Sequence, residues 1–356
     1  MEASVKAYGK ILVVGGYSIL EPGNVGLVVN VNKGTTTSVQ ETQTGRIVID
    51  LSNFQISVYG YVQGHKLQLK HNPEELKFIK SAVENTFKYL NYKSVRLRDI
   101  RLMSYNDAEL THEKLKTGLG SSATATVSTV ASILRLHDIE DIDLVYKIAR
   151  YSHHEAQGSG SGFDVSASCY GSEFFVSQGE LGDMDFIDYI NSDIKLVKEE
   201  YEWPYFLLPV VAFTGQSAST KKFVEHVMKY KNKHPTEYAE FMKDYNDLNM
   251  EVRKYMHGSD PKKIKFYLEL SWKTRKKLGE LAGVEIEPEK YTKLINEINE
   301  NGALTCGLTG AGGGDSLLAL CTSTEDKNYM ITFMKSKGLT VLDGLEIGRI
   351  PYEIVR

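Results

Sequence analysis

The placement of glycine constrains this chain more than any other feature. Of its 30 glycines, ten lie in three short windows, 118–120, 158–162 and 307–314, so a third of them occupy 16 of 356 positions. The total is close to the average for globular proteins, so the information is in where the glycines fall. Glycine loses the most backbone entropy on folding and is kept where the chain turns sharply or where another group comes close. A fold for this chain must therefore give three loops a special task.

The first window is Lys116-Thr-Gly-Leu-Gly-Ser-Ser-Ala123, which follows a strand signal and opens a helix. A loop without Cβ bulk lets backbone N–H groups converge on an anion, and the helix N-terminus adds about half a positive charge. Phosphate is the expected guest, yet the run matches neither GxxxxGK[ST] nor GxGxxG. Ser121 or Ser122 serving as a helix N-cap explains the serines as well, and a capping serine can also turn its hydroxyl to a metal ion. The second window, Gln157-Gly-Ser-Gly-Ser-Gly-Phe-Asp164, delivers a carboxylate directly after a flexible polar turn. Asp164 either terminates that turn or enters a cleft. In the third window, Gly310-Ala-Gly-Gly-Gly314 precedes a strand, and four glycines in five residues favour close approach of the backbone to a ligand over a plain connector. Lys10 interrupts the apolar run Ile11-Leu-Val-Val14; it points out at a strand edge or is buried with a partner.

Periodicity predicts strands over 10–14, 25–31, 35–41, 46–50 and 55–59, with Thr44-Gly45 as a hairpin turn. Apolar residues at three and four predict a helix over 73–90, followed by a strand at 94–105, a small-residue helix at 123–134 that packs closely on a sheet, and a helix at 142–156. The acidic stretch 180–193 reads as surface and linker. A strand at 205–213 then leads to long helices over 219–233, 235–257, 261–282 and 288–301, three of them opened by proline. A strand at 316–321, a helix at 328–337 and a strand at 346–350 complete the chain. The reading is α+β with two domains, 1–190 and 191–356.

With 46 acidic and 42 basic residues the net charge is −4, which disfavours a nucleic acid or anionic membrane partner. No apolar run is long enough to span a bilayer. Cys169, Cys306 and Cys321 form no CxxC pair and leave one over, which fits a reducing, cytoplasmic setting better than a disulfide framework.

Gly9-Lys10 through Gly16, the loop Gly118–Ala123 and the run Gly310–Gly314, in that order, resemble the three motifs of the GHMP kinases. Within that superfamily the chain is most similar to the phosphomevalonate kinases, through Gly15-Gly16-Tyr17, Leu20-Glu21-Pro22, Lys116-Thr117, Ala156-Gln-Gly with Gly160-Ser-Gly-Phe-Asp-Val165, Asp315 and Thr214-Gly-Gln-Ser-Ala-Ser-Thr220. The resemblance spans 6–316. It implies an N-terminal ribosomal S5 domain 2-like domain, a C-terminal ferredoxin-like domain and an active site in the cleft between them. It implies ATP-dependent phosphorylation of 5-phosphomevalonate, with Mg2+, and leaves a homodimer open.

Carried over by residue, the resemblance makes Lys10 and Asp164 catalytic. Lys116, Gly118, Leu119, Gly120, Ser121, Ser122 and Ala123 would hold ATP. Lys10, Tyr17, Ser161, Asp164, Ser217, Ser219, Gly313 and Asp315 would hold the acceptor, and Ser122 with Glu155 the metal. Gly312 to Asp315 would close over the phosphates or the substrate. Two departures stand out. Tyr8 replaces a usual proline, and gapless counting places His153, not Glu155, where mevalonate kinases carry a metal-binding glutamate. Lys221 and Lys222 read either as acceptor-phosphate donors or as a solvated first helical turn. Asn106 and Asp107 lie near the ATP loop. The alternatives are a sibling enzyme (mevalonate kinase or diphosphomevalonate decarboxylase), a GHMP protein without catalysis, and RNA binding through the S5-like domain, which the charge disfavours.

Overall fold

The computed structural model describes residues 1–113, 115–194, 196–216, 220–348 and 351–355. The first part of the chain forms β1 (Glu2–Val14), β2 (Val25–Thr42), β3 (Ile47–Leu51), β4 (Ile56–Gln63), β5 (Lys66–Leu69), α1 (Lys77–Tyr92), β6 (Asp99–Asn106), the short pair β7 (Thr111–His112) and β8 (Leu115–Lys116), α2 (Ser121–Leu136), α3 (Ile142–Gln157), α4 (Phe163–Tyr170), β9 (Glu173–Val176), α5 (Phe186–Asn191) and β10 (Lys198–Glu200). The second forms β11 (Leu208–Phe213), α6 (Thr220–Lys233), α7 (Pro235–Met256), α8 (Pro261–Ala282), α9 (Glu289–Glu300), β12 (Thr305–Leu308), β13 (Ser316–Cys321), α10 (Thr324–Ser336), β14 (Thr340–Val341), β15 (Ile347–Gly348) and β16 (Glu353–Ile354).

The larger sheet runs β10-β9-β2-β6-β3-β4-β5, with β1 pairing the length of β2. Ala3, Val5, Ala7 and Val39 face the core made with α1, α2 and α3. After a register shift between Tyr8 and Lys10, Ile11 and Val13 face one core and Leu12 another, so this stretch is buried on both sides. That double burial is why the run from Ile11 to Val14 shows no alternation. The α2 contact is close, as small residues predict: Thr124 and Ser128 hydroxyls meet those of Thr35 and Thr37 at 2.6 and 2.8 Å.

The second sheet, β12-β13-β11-β14, is covered on one face by α9 and α10. Its other face meets α8 and the sheet residues Ile11, Val13, Leu27 and Val29. Trp272 of α8 donates its indole N–H to Val13 O at 2.7 Å, which fastens the two sheets together. A Cβ on Gly307 would lie 2.4 Å from the Trp272 ring. Gly307→Ala is therefore expected to destabilise the protein by about 1–3 kcal/mol through overpacking. Calorimetric melting checks this, and an unchanged melting temperature would mean that Trp272 moves aside freely.

Three expectations need correction. Thr44-Gly45 is not a hairpin turn, because β6 lies between β2 and β3 and pairs with both, parallel to β3. A local turn signal says nothing about which strand is inserted later in the chain. Within the supposed linker at 180–193, α5 buries Phe186 and Tyr189 in the first core. β10 pairs with β9, and the late strands β15 and β16 return to β2 and β1. Strands of two or three residues carry no readable period. Finally, 25–42 is a single strand rather than two. Among the described residues no helix is long and apolar enough to cross a membrane.

Candidate functional site

Lys10 is buried, and its Nζ donates to Gly118 O at 2.9 Å while its backbone N–H donates to Leu119 O at 2.8 Å. The first glycine window thus wraps the Lys10 side chain: a Cβ on Gly120 would stand 3.0 Å from Lys10 Cε. The ammonium also lies 5.3 Å from the Phe163 ring centroid. Burial pushes its pKa below the ordinary lysine range, and the carboxylates of Asp164 and Asp315 oppose that shift. Of the two readings of Lys10, the strand-edge one is excluded.

Two helices begin beside this lysine. Gly120 ahead of α2 and Gly162 ahead of α4 both adopt left-handed backbone, at φ 86° and 81°, and neither helix has a side-chain cap. The capping explanation for Ser121 and Ser122 therefore falls. Instead the Ser122 hydroxyl lies 3.1 Å from His153 Nε2, which is 3.7 Å from Asp164 Oδ2. His153 is buried and stacks on Phe78 with centroids 5.0 Å apart. Burial pushes the imidazole below its usual range, against the pull of Asp164. Asp164 sits in the first turn of α4, where its Oδ1 accepts from Val165 N–H at 3.0 Å. Uncapped helix N-termini beside a buried ammonium have the donors and the positive potential to receive an anion.

A cavity of about 250 Å³ opens beside Ser121 and Ser122, lined by Leu51, Phe54, Phe78 and Asn106 among others, with Lys116 at its wall. It is apolar enough for a nucleobase. Asn106 reaches it, whereas Asp107 is held by Lys6 at 2.8 Å and by Gly34 N–H. Ser161 is buried and lines a second, small cavity with Asp164 and His153.

The third window lies across from the first. A Cβ on Gly118 would meet Asp315 Cβ at 3.0 Å, and Ser316 Oγ donates to Thr117 O at 2.7 Å. The Tyr17 hydroxyl donates to Ala311 O at 2.7 Å, and Gly313 N–H to Ile286 O. The expectation that these glycines exist to let a ligand approach is corrected for two of them. A Cβ on Gly312 would clash with Ile286 O at 2.4 Å, and one on Gly314 with Tyr291 Oη at 2.6 Å. Their compactness serves packing within the chain, and the N–H groups of Gly310, Gly312 and Gly313 are spent on protein carbonyls.

Lys10, Gly118, Leu119, Gly120, Ser122, Asp164 and Asp315 thus gather in one place, with Ser121, Ala123, Lys116 and Ser161 beside them, while Tyr17 bonds to the third window at Ala311 and Gly313 to Ile286. Glu155 does not join them. Its carboxylate accepts from Ser81 at 2.6 Å and Asn85 at 2.9 Å, on the α1 side. On α3 Glu155 follows Leu144, Ile148 and Ser152 along the face that meets Ser81 and Asn85 of α1, while His153, about 200° round the helix from Glu155, faces Ser122. Ser217 and Ser219 lie outside the described residues, while Lys221 and Lys222 are exposed at the start of α6. Sequence reasoning missed Phe78 and Phe163, which pack on His153 and beside Lys10. The spacing that predicts α3 could have identified His153 as facing inward.

Two family descriptions match the chain: GHMP kinases N terminal domain over 77–172, and GHMP kinases C terminal over 252–338. Phosphomevalonate kinase of Saccharolobus solfataricus is 29% identical over 342 residues, which is 95% of each chain. The solved structure of the Lin0012 protein from Listeria innocua superposes on the full length of both chains with a TM-score of 0.89 at 23% identity. Streptococcus pneumoniae phosphomevalonate kinase, in complex with phosphomevalonate and AMPPNP, superposes over 98% of this chain and 99% of its own with a TM-score of 0.78 at 18% identity. At these identities the structural likeness speaks for the fold.

Proposed function

Since the chain belongs to the GHMP kinases through both its N-terminal and its C-terminal domain, we propose that it transfers the γ-phosphoryl group of ATP to (R)-5-phosphomevalonate, releasing ADP and (R)-5-diphosphomevalonate. The observation that carries this reading is the phosphomevalonate kinase likeness along 95% of both chains. The gathering of Lys10, Gly118, Ser122, Asp164 and Asp315 at two uncapped helix N-termini supports it.

The second ionisation of a phosphate monoester falls near pH 6, so at neutral pH the acceptor is a dianion and already a nucleophile. The task is to bring two polyanions together and stabilise the charge that spreads over the transferred group. In this reading the first turn of α2, Ser121 to Ala123, cradles the ATP phosphates, with Gly118 to Gly120 shaping the approach. The base enters the cavity lined by Phe54 and Phe78. Lys10 faces the transferred phosphoryl group, and Asp164 holds Lys10 and the acceptor in line. Tyr17, Ser161, Gly313 and Asp315 line the acceptor side.

The donor set at this site fits Mg2+ that arrives with the nucleotide. Ser122, at the uncapped start of α2, offers one neutral oxygen, and such an ion would take its remaining ligands from phosphate oxygens and water. Such an ion would neutralise charge on the β- and γ-phosphates. Glu155, held by Ser81 and Asn85, is not proposed as a ligand.

A coupled ADP assay with mevalonate, 5-phosphomevalonate and 5-diphosphomevalonate tests the reading. ADP release is expected with 5-phosphomevalonate alone, with a diphosphate product in phosphorus NMR. Preference for mevalonate would make the chain a sibling kinase, and release with none of the three would remove the activity.

A further inference from the structure

Arg275 of α8 is 2% exposed and lies under the third glycine window. Its Nη1 donates to Gly310 O at 2.9 Å and its Nη2 to Leu308 O at 2.8 Å. Its Nε is buried with no hydrogen-bond partner, and both terminal nitrogens are given to backbone carbonyls. A guanidinium cannot shed its proton, so the charge persists at the cost of burial with two carbonyls to offset it. The cost falls at a place where negative charge is expected to arrive.

The surroundings carry that charge toward the cleft. A Cβ on Gly16 would meet Gly310 O at 2.7 Å and Arg275 Cδ at 3.3 Å, so the first motif, the loop and the guanidinium are in direct contact. Tyr17, next in sequence, holds the loop through Ala311 O. Burial pushes its hydroxyl pKa up, and Arg275 pulls against that rise. The two Arg275 bonds also turn the carbonyls of Leu308 and Gly310 inward, which keeps lone pairs away from an incoming anion.

We propose that Arg275 is a positioning residue that sets acceptor specificity: its buried charge is complemented when a phosphate dianion occupies the cleft beside the 309–315 loop, so the site favours a phosphorylated acceptor over the corresponding alcohol. This rests on the reading of the chain as a kinase acting on a phosphate monoester. Arg275 does not touch the acceptor; it acts through the loop and through its field. At an effective dielectric near 20, one charge roughly 12–24 Å from a dianion changes its binding by about 10- to 100-fold.

The experiment compares wild type, Arg275→Lys and Arg275→Met, with kcat and KM for ATP and for the acceptor, using 5-phosphomevalonate and mevalonate in turn. Calorimetry supplies Kd for 5-phosphomevalonate. Arg275→Met is expected to raise KM and Kd for 5-phosphomevalonate by about 10- to 100-fold, leave KM for ATP within about threefold, and erode the preference for the phosphorylated acceptor. Arg275→Lys, which keeps the charge without the fork, is expected to retain that preference. Should Arg275→Met fail to fold, Arg275→Gln takes its place as the neutral variant. Equal losses on both acceptors, or an unchanged preference in the neutral variant, would overturn the proposal and leave Arg275 a packing residue. A wild-type protein that releases ADP with neither acceptor, or with mevalonate alone, would overturn the underlying reading, and the proposal with it, before any variant is compared.

Discussion

Lys10→Met is expected to lower kcat by roughly 10³-fold or more, in the range seen when a fixed cation is removed from a phosphoryl-transfer site, while KM for ATP changes little. The reason is placement. The ammonium is buried, is held to Gly118 O at 2.9 Å and stands beside Asp164 and Asp315, so it needs no reorganisation when charge develops on the transferred group. Lys10→Arg is not expected to restore the rate. The guanidinium is wider and planar, and Gly120 leaves only 3.0 Å between its would-be Cβ and the lysine chain.

The same burial sets a pH dependence. Lys10 must be protonated to act, and its pKa in the folded protein is lowered by desolvation, with Asp164 and Asp315 pulling it back up. Activity is therefore present below that lowered pKa and lost as pH rises through it. The alkaline limb of kcat/KM should fall at lower pH than an exposed lysine would give. An alkaline limb at the ordinary lysine position, or a Lys10→Met enzyme with near-normal turnover, would remove Lys10 from this role.

Asp164→Asn is expected to lower kcat by about 10²- to 10³-fold, short of the 10⁴-fold that marks the upper range for loss of a general base. The substitution preserves shape and the hydrogen bond from Val165 N–H. It removes the charge that faces His153 and that holds the Lys10 ammonium protonated. A dianionic acceptor carries no proton for a base to take, so this carboxylate is asked to position rather than to deprotonate. The pH profile separates the two roles. The acid limb should follow the acceptor's own ionisation near pH 6 and survive in the variant. A loss beyond about 10⁴-fold, with the acid limb abolished, would make Asp164 a base.

Much of the fold was legible because its signals are local. Helices α1 to α3 and α6 to α9 follow the spacing of their apolar and small residues, and proline opens α7 and α8, whereas the short α4 and α5 carry too few turns to show a period. Strand pairing was not legible, because β6 enters between β2 and β3 from 48 residues beyond Leu51, and no turn residue encodes that. The site followed the same division. The glycine windows pointed to loops with a task, and the motif order tied Lys10, Ser122 and Asp164 to them. The identity of the residue facing Ser122 depended on the phase of α3, which puts His153 inward and turns Glu155 to Ser81 and Asn85.

By itself the sequence determined that three glycine-rich loops exist, that the first opens a helix and the third precedes a strand, and which titratable residues travel with them, since backbone freedom and helical phase are properties of neighbours along the chain. Only the tertiary structure decided why the glycines are needed. Gly120 clears Lys10, Gly312 clears Ile286 O and Gly314 clears Tyr291, and these are contacts between residues that are remote in sequence or lie across a loop. It also decided that Arg275, one basic residue of 42, is the one sealed beneath the loop with two carbonyls for partners. That burial is set by the packing of α8 on β12, and a guanidinium reads the same in sequence whether it is solvated or enclosed.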